Sequence, residues 1–356
     1  MSRLILFLLI PTFACAAPET LSFIDHGKAD PRLKGYRTPA GFKLEIVATE
    51  PTVQHPVGMT FGPDGTLFVP EWKADPFAVP VEEIVRYKNG TTRSYFAAKK
   101  QVKDCVKALV YDKDSGTFKS SRVIVEDELP TGILIHGGWL YTSGRGTVRR
   151  WQLSNVLDGK SLDAKPEILL RGLHPKCSGL SIGPDGWIYV TTGLDADVEG
   201  IDGNRVRAKH AAVLRCRPDG TELQLLADGL SGISREVIFS ARNQFLVVAE
   251  GKRLPVAEAS SFSDEATPRA AITEPFSSAM AYFDILLPAF FRGVVYETNG
   301  KAGVVRGLRP GSVEPFSLLA SKDPNFRPCQ SAIGPDGAIY IGAGRGEDGK
   351  EGRIYL

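Results

Sequence analysis

The strongest constraint on how this chain can fold is a nine-residue pattern that occurs three times, at residues 61–69, 182–190 and 333–341. Each copy reads apolar, Gly-Pro-Asp-Gly, any residue, apolar, aromatic, apolar, as in Ile182-Gly183-Pro184-Asp185-Gly186-Trp187-Ile188-Tyr189-Val190. Proline presets φ, aspartate can bond back to its own backbone, and the second glycine accepts positive φ. Each copy therefore predicts a strand, a tight turn and a second strand. Recurrence at long intervals marks a repeat architecture.

Three further strand-turn-strand segments use other turn residues, around Gly138, Asn243 and Gly293. With Asp64, Gly138, Asp185, Asn243, Gly293 and Asp336 as turn centres, the steps are 74, 47, 58, 50 and 43 residues. Those intervals suit a four-stranded blade with its loops, and several times exceed the strand spacing of a sandwich. Outer strands are read at Ile84-Val85-Arg86-Tyr87, Val148-Arg149-Arg150-Trp151 and Ala212-Val213-Leu214-Arg215-Cys216. The expected fold is all-β, a six-bladed β-propeller. Phe42-Lys43-Leu44-Glu45-Ile46-Val47 alternates as a strand and the chain runs to Ile354-Tyr355-Leu356. The N-terminal strand is therefore expected to close the last blade and hide its edge. Residues 258–280, rich in Ser, Ala, Glu and Pro, read as an excursion loop.

Residues 1–16 read as a signal peptide: Arg3, an apolar run from Leu4 to Ile10, then Ala14-Cys15-Ala16 as a small-residue cleavage site. Export to the periplasm or the extracellular space is the expectation, with a lipid anchor on Cys15 as the rival. Residues 17–38 are read as an N-terminal extension and 39–356 as the propeller domain. The apolar run is too short to span a bilayer, and no later segment reads as a membrane span. Lys plus Arg total 43 against 41 acids, so no field argues for nucleic acid, and a small neutral partner suits the mouth better. Cys105, Cys177, Cys216 and Cys329 form no CxxC or CxxCH pattern, so no zinc ribbon and no haem site is read. They leave both disulfides and free buried thiols open.

Propellers gather chemistry on loops at the channel mouth. His174, between Gly172-Leu173 and Pro175, falls on such a loop, and His55 before Pro56 occupies the equivalent loop of the first blade. Asp195, Asp197 and Glu199 alternate ahead of Gly200 like the opening of a calcium loop, although position twelve is Val206 and basic residues follow. A solvated acidic loop is the competing reading. Trp72, at a strand end, is placed to line the mouth and stack on a ligand ring, while Trp139, Trp151 and Trp187 read as core. There is no Gly-x-Ser-x-Gly elbow, HExxH or P-loop.

The run Pro39-Ala40-Gly41-Phe42 into His55-Pro56-Val57-Gly58 and Glu71-Trp72, then Leu129-Pro130-Thr131-Gly132, His174-Pro175-Lys176-Cys177-Ser178-Gly179-Leu180 and Phe326-Arg327-Pro328, carries a resemblance. The chain resembles the glucose/sorbosone dehydrogenase superfamily of quinoprotein β-propellers, and most the planctomycete and verrucomicrobial "membrane-bound dehydrogenase domain" group. That resemblance implies pyrroloquinoline quinone over the channel mouth, a small neutral sugar or related alcohol as substrate, and a separate electron acceptor. It also implies His174 as base, with Arg235 and Arg327 as cofactor-binding residues, to which Trp72 is added from its strand-end position. Ser178 stands where relatives carry Asn, and residues 231–235 lack the usual Asn-containing pattern. The alternative is a non-catalytic propeller that binds carbohydrate or another exported protein.

Overall fold

The computed structural model describes residues 21–73, 81–86, 92–97, 103–127, 129–158, 165–174, 178–193, 195–230, 236–239, 245–249, 252–255, 277–312, 314–344 and 352–356. The chain is an all-β propeller. Blade 1 runs from the channel outward as Thr60–Phe61, Leu67–Glu71, Cys105–Asp112 and Thr117–Glu126. Blade 2 contains Pro130–His136, Trp139–Gly144, Thr147–Gln152 and Glu167–Arg171. Blade 3 contains Ser178–Ile182, Ile188–Thr192, Ala211–Cys216 and Gln224–Leu230. Blade 4 follows as Ser277–Tyr282, Val294–Asn299, Val304–Leu308 and Phe316–Ser321. Blade 5 is Arg327–Ile333, Ile339–Gly344, Arg353–Tyr355 and, from the other end of the sequence, Ile46–Ala48. In that last pairing Ile354 stands opposite Ala48 and Tyr355 opposite Ile46.

Six blades were expected, and among the described residues five are formed. Between blades 3 and 4 the described residues form only a three-stranded sheet of Ile238–Phe239, Phe245–Ala249 and Lys252–Pro255. The physical reason is legible in the chain. This hairpin has no Pro-Asp-Gly to set its turn. Residues 256–276, which follow, lie outside the described residues. Part of the expected excursion loop, Ser277–Met280, instead belongs to the inner strand of blade 4.

The Gly-Pro-Asp-Gly pattern has a side-chain logic that explains each position. Asp64, Asp185 and Asp336 accept through Oδ1 from the backbone N–H two residues on, at 3.0, 3.3 and 3.1 Å. Their Oδ2 atoms accept from Thr66 Oγ1, Tyr189 Oη and Tyr340 Oη, at 2.9, 2.8 and 3.0 Å. The aromatic ring folds back over the first glycine of the motif, so a Cβ on Gly334 would lie 2.3 Å from Tyr340 Cε2. No larger residue fits there. The Tyr340 ring then packs edge-on against Phe61 at 5.0 Å, joining blade 5 to blade 1.

Insertions account for the uneven spacing. The hairpin Val81–Arg86 with Thr92–Ala97 stands apart from blade 1 and makes the first interval longest. The segment read as an outer strand of blade 1, Ile84-Val85-Arg86, belongs to it. A second hairpin, Ala196–Gly200 with Arg205–Ala208, leaves blade 3 and pairs onto the outer strand of blade 2. The extension before residue 39 also joins a sheet: Tyr36 and Arg37 pair with Ser321 and Ala320 on the edge of blade 4. Among the described residues no helix is long and apolar enough to cross a membrane.

Candidate functional site

Antiparallel blades place the start of every inner strand and the end of every second strand at one rim of the channel. His55, Trp72, Leu129, His174, Thr192, Glu236, Arg327 and Gly344 all fall there by their positions in the strand order. This rim is the candidate site.

His174 is partly buried, and its backbone N–H donates to Thr192 Oγ1 at 2.9 Å. A loop residue is thereby tied to the second strand of blade 3. Arg327, also partly exposed, opens the inner strand of blade 5 and stands opposite Gly344. Gly344 in turn receives the His55 imidazole: a Cβ there would lie 3.1 Å from Cδ2 and 3.2 Å from Nε2. His55 and Arg327 therefore flank one glycine at the seam of blades 5 and 1, whereas His174 belongs to blade 3. Arg235 lies outside the described residues.

Two expectations are corrected. Trp72 is 2 % exposed, and its Nε1–H donates to the Pro130 carbonyl at 2.7 Å, which joins blade 1 to blade 2. A ring so enclosed offers no face for stacking. Asp195, Asp197 and Glu199 do not wrap a cation. Asp197 and Glu199 lie along the strand Ala196–Gly200, opposite Arg207 and Arg205, and the Glu199 carboxylate meets Arg205 at 2.5 Å. Alternate residues on a strand stand on one face roughly 6–7 Å apart, too far to share an ion as a loop does. Among the described residues no group of three or more His, Cys, Asp or Glu is arranged to hold a metal.

The sequence reading missed a polar bridge through the channel. Gln330, on the inner strand of blade 5, accepts from Met59 N–H through Oε1 at 2.6 Å. Its Nε2 donates to Glu236 Oε1 at 3.1 Å, while Glu236 Oε2 accepts from Ala279 N–H at 3.2 Å. Glu236 leads into the three-stranded sheet, and blade 4 stands between that sheet and blade 5. Non-neighbouring sheets of a propeller meet only across the channel. Gly58 makes room, since a Cβ on it would lie 2.8 Å from Gln330 Oε1. A glutamine interrupting an inner strand was the available signal.

Elsewhere on the rim, charge is buried and committed. Glu71 and Lys107 pair at 3.1 Å with side chains 0 % and 8 % exposed, and Gln54 N–H donates to Glu71 Oε1 at 2.8 Å. Burial pushes the Asp127 carboxyl up, against the opposing pull of Arg149 and the Thr142 hydroxyl, both bonded to it. Ser178 is fully buried: its hydroxyl lies 3.0 Å from Thr131 Oγ1, and its carbonyl accepts from Ser143 Oγ at 3.0 Å. Cys105, Cys216 and Cys329 are buried, and Cys177 lies outside the described residues.

Solved structures of similar fold include the holo PQQ domain of pyranose dehydrogenase from Coprinopsis cinerea, with 12 % identity, TM-score 0.51, and 90 % and 96 % of the two chains covered. An oxidoreductase described as a glucose dehydrogenase from Thermus thermophilus matches at 16 % identity, TM-score 0.46, with 88 % and 99 % covered. A gluconolactonase from Xanthomonas campestris matches at 14 % identity, TM-score 0.43, with 88 % and 97 % covered. At these identities the likeness is one of fold. No curated protein sequence matches the chain. Residues 29–249 match the family model described as "Domain of unknown function (DUF7133)".

Proposed function

The chain belongs to the DUF7133 family, a membership that names no reaction, and from the residues at its channel rim we propose that it oxidises a hydroxyl of a small neutral sugar. His174 is the base in this reading. It is a partly exposed residue on a loop fixed by the Thr192 contact, and this placement at the rim is the observation that carries the proposal. A neutral imidazole there takes the hydroxyl proton as the carbinol carbon loses its hydride.

Pyrroloquinoline quinone, by resemblance, is the cofactor that would accept the two electrons. The donor set suits its carboxylates: Arg327 is partly exposed at the head of an inner strand, and a guanidinium offers paired N–H donors to a carboxylate. Arg235 is assigned the same role from the sequence. A separate exported protein or small acceptor would take the electrons onward, and calcium would be supplied with the quinone rather than held by Asp195, Asp197 and Glu199. Export to the periplasm or the extracellular space belongs to the same reading.

Quinone binding followed by its absorbance, in wild type and in Arg327→Ala, tests the cofactor half. Saturable binding that the variant weakens at least about tenfold supports it. Absence of binding by the wild-type protein contradicts it.

One observation favours a second reading, a propeller that binds carbohydrate without oxidising it. Ser178 stands where relatives of the resembled group carry Asn, and its polar groups are taken up by Thr131 and Ser143, so it presents nothing to the rim. Retained sugar binding with no turnover in the presence of quinone would establish that reading.

A further inference from the structure

The rim opposite the channel mouth carries an apolar loop that the sugar-oxidation reading does not use. In blade 4 the connection from the inner strand to the second strand runs over residues 283–293, where the Gly-Pro-Asp-Gly blades turn tightly. It begins Phe283-Asp284-Ile285-Leu286-Leu287-Pro288, and Phe283, Ile285 and Leu286 are 45 %, 80 % and 57 % exposed. Single exposed apolar side chains are ordinary, but three on one loop tip mark a contact surface.

The loop is tied together by its own polar groups. Arg292 donates through Nε to the Leu287 carbonyl at 2.7 Å and through Nη2 to the Ile285 carbonyl at 3.0 Å. Leu286 N–H donates to Asp284 Oδ1 at 3.1 Å. The Pro288 and Ala289 carbonyls accept from Phe291 and Arg292 N–H at 2.9 and 3.2 Å, and Gly293 N–H closes the loop on the Tyr282 carbonyl at 2.6 Å. On a loop facing water, solvent can serve such groups; against hydrocarbon they must be met from within. Beneath the tip, Phe290 packs on Phe291 and Phe316 at 4.9 and 5.4 Å, a firm base for the side chains that point away.

The N-terminal chain enters the fold beside this loop. The Ser22 carbonyl accepts from Ala40 N–H at 2.8 Å, and the Phe42 ring, two residues on, meets Phe291 at 4.8 Å. Residues 1–20, outside the described residues, therefore join the propeller on the side of Ile285 and Leu286. From Cys15 to Ser22 is seven residues, a reach of at most about 25 Å, so a lipid anchor on Cys15 would draw this rim to a bilayer first. Three side chains are far fewer than the roughly 20–30 residues a stable protein interface uses on each side, whereas a few apolar side chains sunk into the headgroup boundary suffice to hold a peripheral protein.

We propose that Phe283, Ile285 and Leu286 form a docking surface for a lipid bilayer, which leaves the mouth with His174 and Arg327 turned toward solution. The proposal is independent of the oxidation reading, and its test needs no turnover. Full chain is mixed with vesicles of phosphatidylcholine and floated on a density gradient. Wild type is expected to float with the vesicles, and Ile285→Asp/Leu286→Asp, at exposed positions and with an unchanged melting temperature, to bind at least about tenfold less. Leu286→Trp gives a second measurement if that variant fails to fold: its added fluorescence, taken relative to wild type, should be quenched by vesicles whose acyl chains carry bromine. Absence of wild-type flotation, equal flotation of wild type and the folded double variant, or no quenching at position 286 overturns the proposal. A dimer that forms without lipid and is lost in Ile285→Asp/Leu286→Asp also overturns it, because the occupant would then be a second copy of the chain.

Discussion

The Tyr340 hydroxyl donates to Asp336 Oδ2 at 3.0 Å, and the ring that carries it covers Gly334 so closely that a methyl group there would overlap Tyr340 Cε2. Turn, glycine and aromatic residue are one device, and they can be separated by mutation. Tyr340→Phe removes one hydrogen bond and should cost about 1 kcal/mol. Gly334→Ala forces the ring aside and should cost more, about 2–3 kcal/mol. In a Tyr340→Ala background the same alanine should cost less, because only its 2.4 Å approach to Asp336 Oδ1 remains, giving a coupling visible in denaturant unfolding. Additive costs would show that ring and glycine are independent.

That device explains why so much of the fold was readable. Gly62, Gly183 and Gly334 are required by what lies six residues later, so the pattern survives as a string of neighbours. The count of blades was harder. The sheet around Ile238–Phe239 has no such turn. Hairpins that leave one blade for another, as Ala196–Gly200 does in joining blade 2, defeat a local reading altogether. At the rim, His174 and Arg327 were legible because a loop position and a strand start are local properties. Glu236 and Gln330 were not, since they are 94 residues apart and meet only across the channel. Trp72 was misread for a related reason: its enclosure depends on Pro130, on the next blade.

The buried Glu71–Lys107 pair should be strongly destabilising to break from one side. Lys107→Met leaves a carboxylate without its cation in a site shielded from water, and a loss of about 3–5 kcal/mol is expected in urea unfolding. Replacing both residues together by apolar ones of similar size should recover a large part of that loss. A Lys107→Met protein as stable as wild type would show that the Gln54 N–H and its neighbours satisfy Glu71 alone.

The thiols give a pH dependence. Burial pushes Cys105 up to about 11 and Cys216 up to about 12, with the Glu71 carboxylate adding to the first and Asp219 to the second. Both should stay protonated and unreactive at pH 8 in the folded protein. In a Cys177→Ser background, a thiol-specific disulfide reagent is expected to label neither until denaturant is added. The unfolded chain releases these protons first, near the ordinary value of 9.0. Their contribution to stability is therefore intact below pH 9 and is lost as pH rises toward 11 and 12. Rapid native labelling at pH 8 would contradict the burial.

The acidic hairpin makes a negative prediction with a clear reading. Because Glu199 is engaged by Arg205 and Asp197 faces Arg207, calcium should not raise the melting temperature through these residues. Wild type and Asp197→Asn/Glu199→Gln should respond equally to millimolar calcium. A calcium-dependent rise lost in the double variant would restore the metal reading.

Sugar oxidation at the rim that carries His174 is put to the test by dye-linked turnover of the full chain, reconstituted with pyrroloquinoline quinone and calcium, across a panel of neutral sugars. His174→Ala is the comparison. Sugar-dependent dye reduction that falls about a hundredfold or more in the variant is expected; turnover equal in both proteins, or none in either, would contradict it.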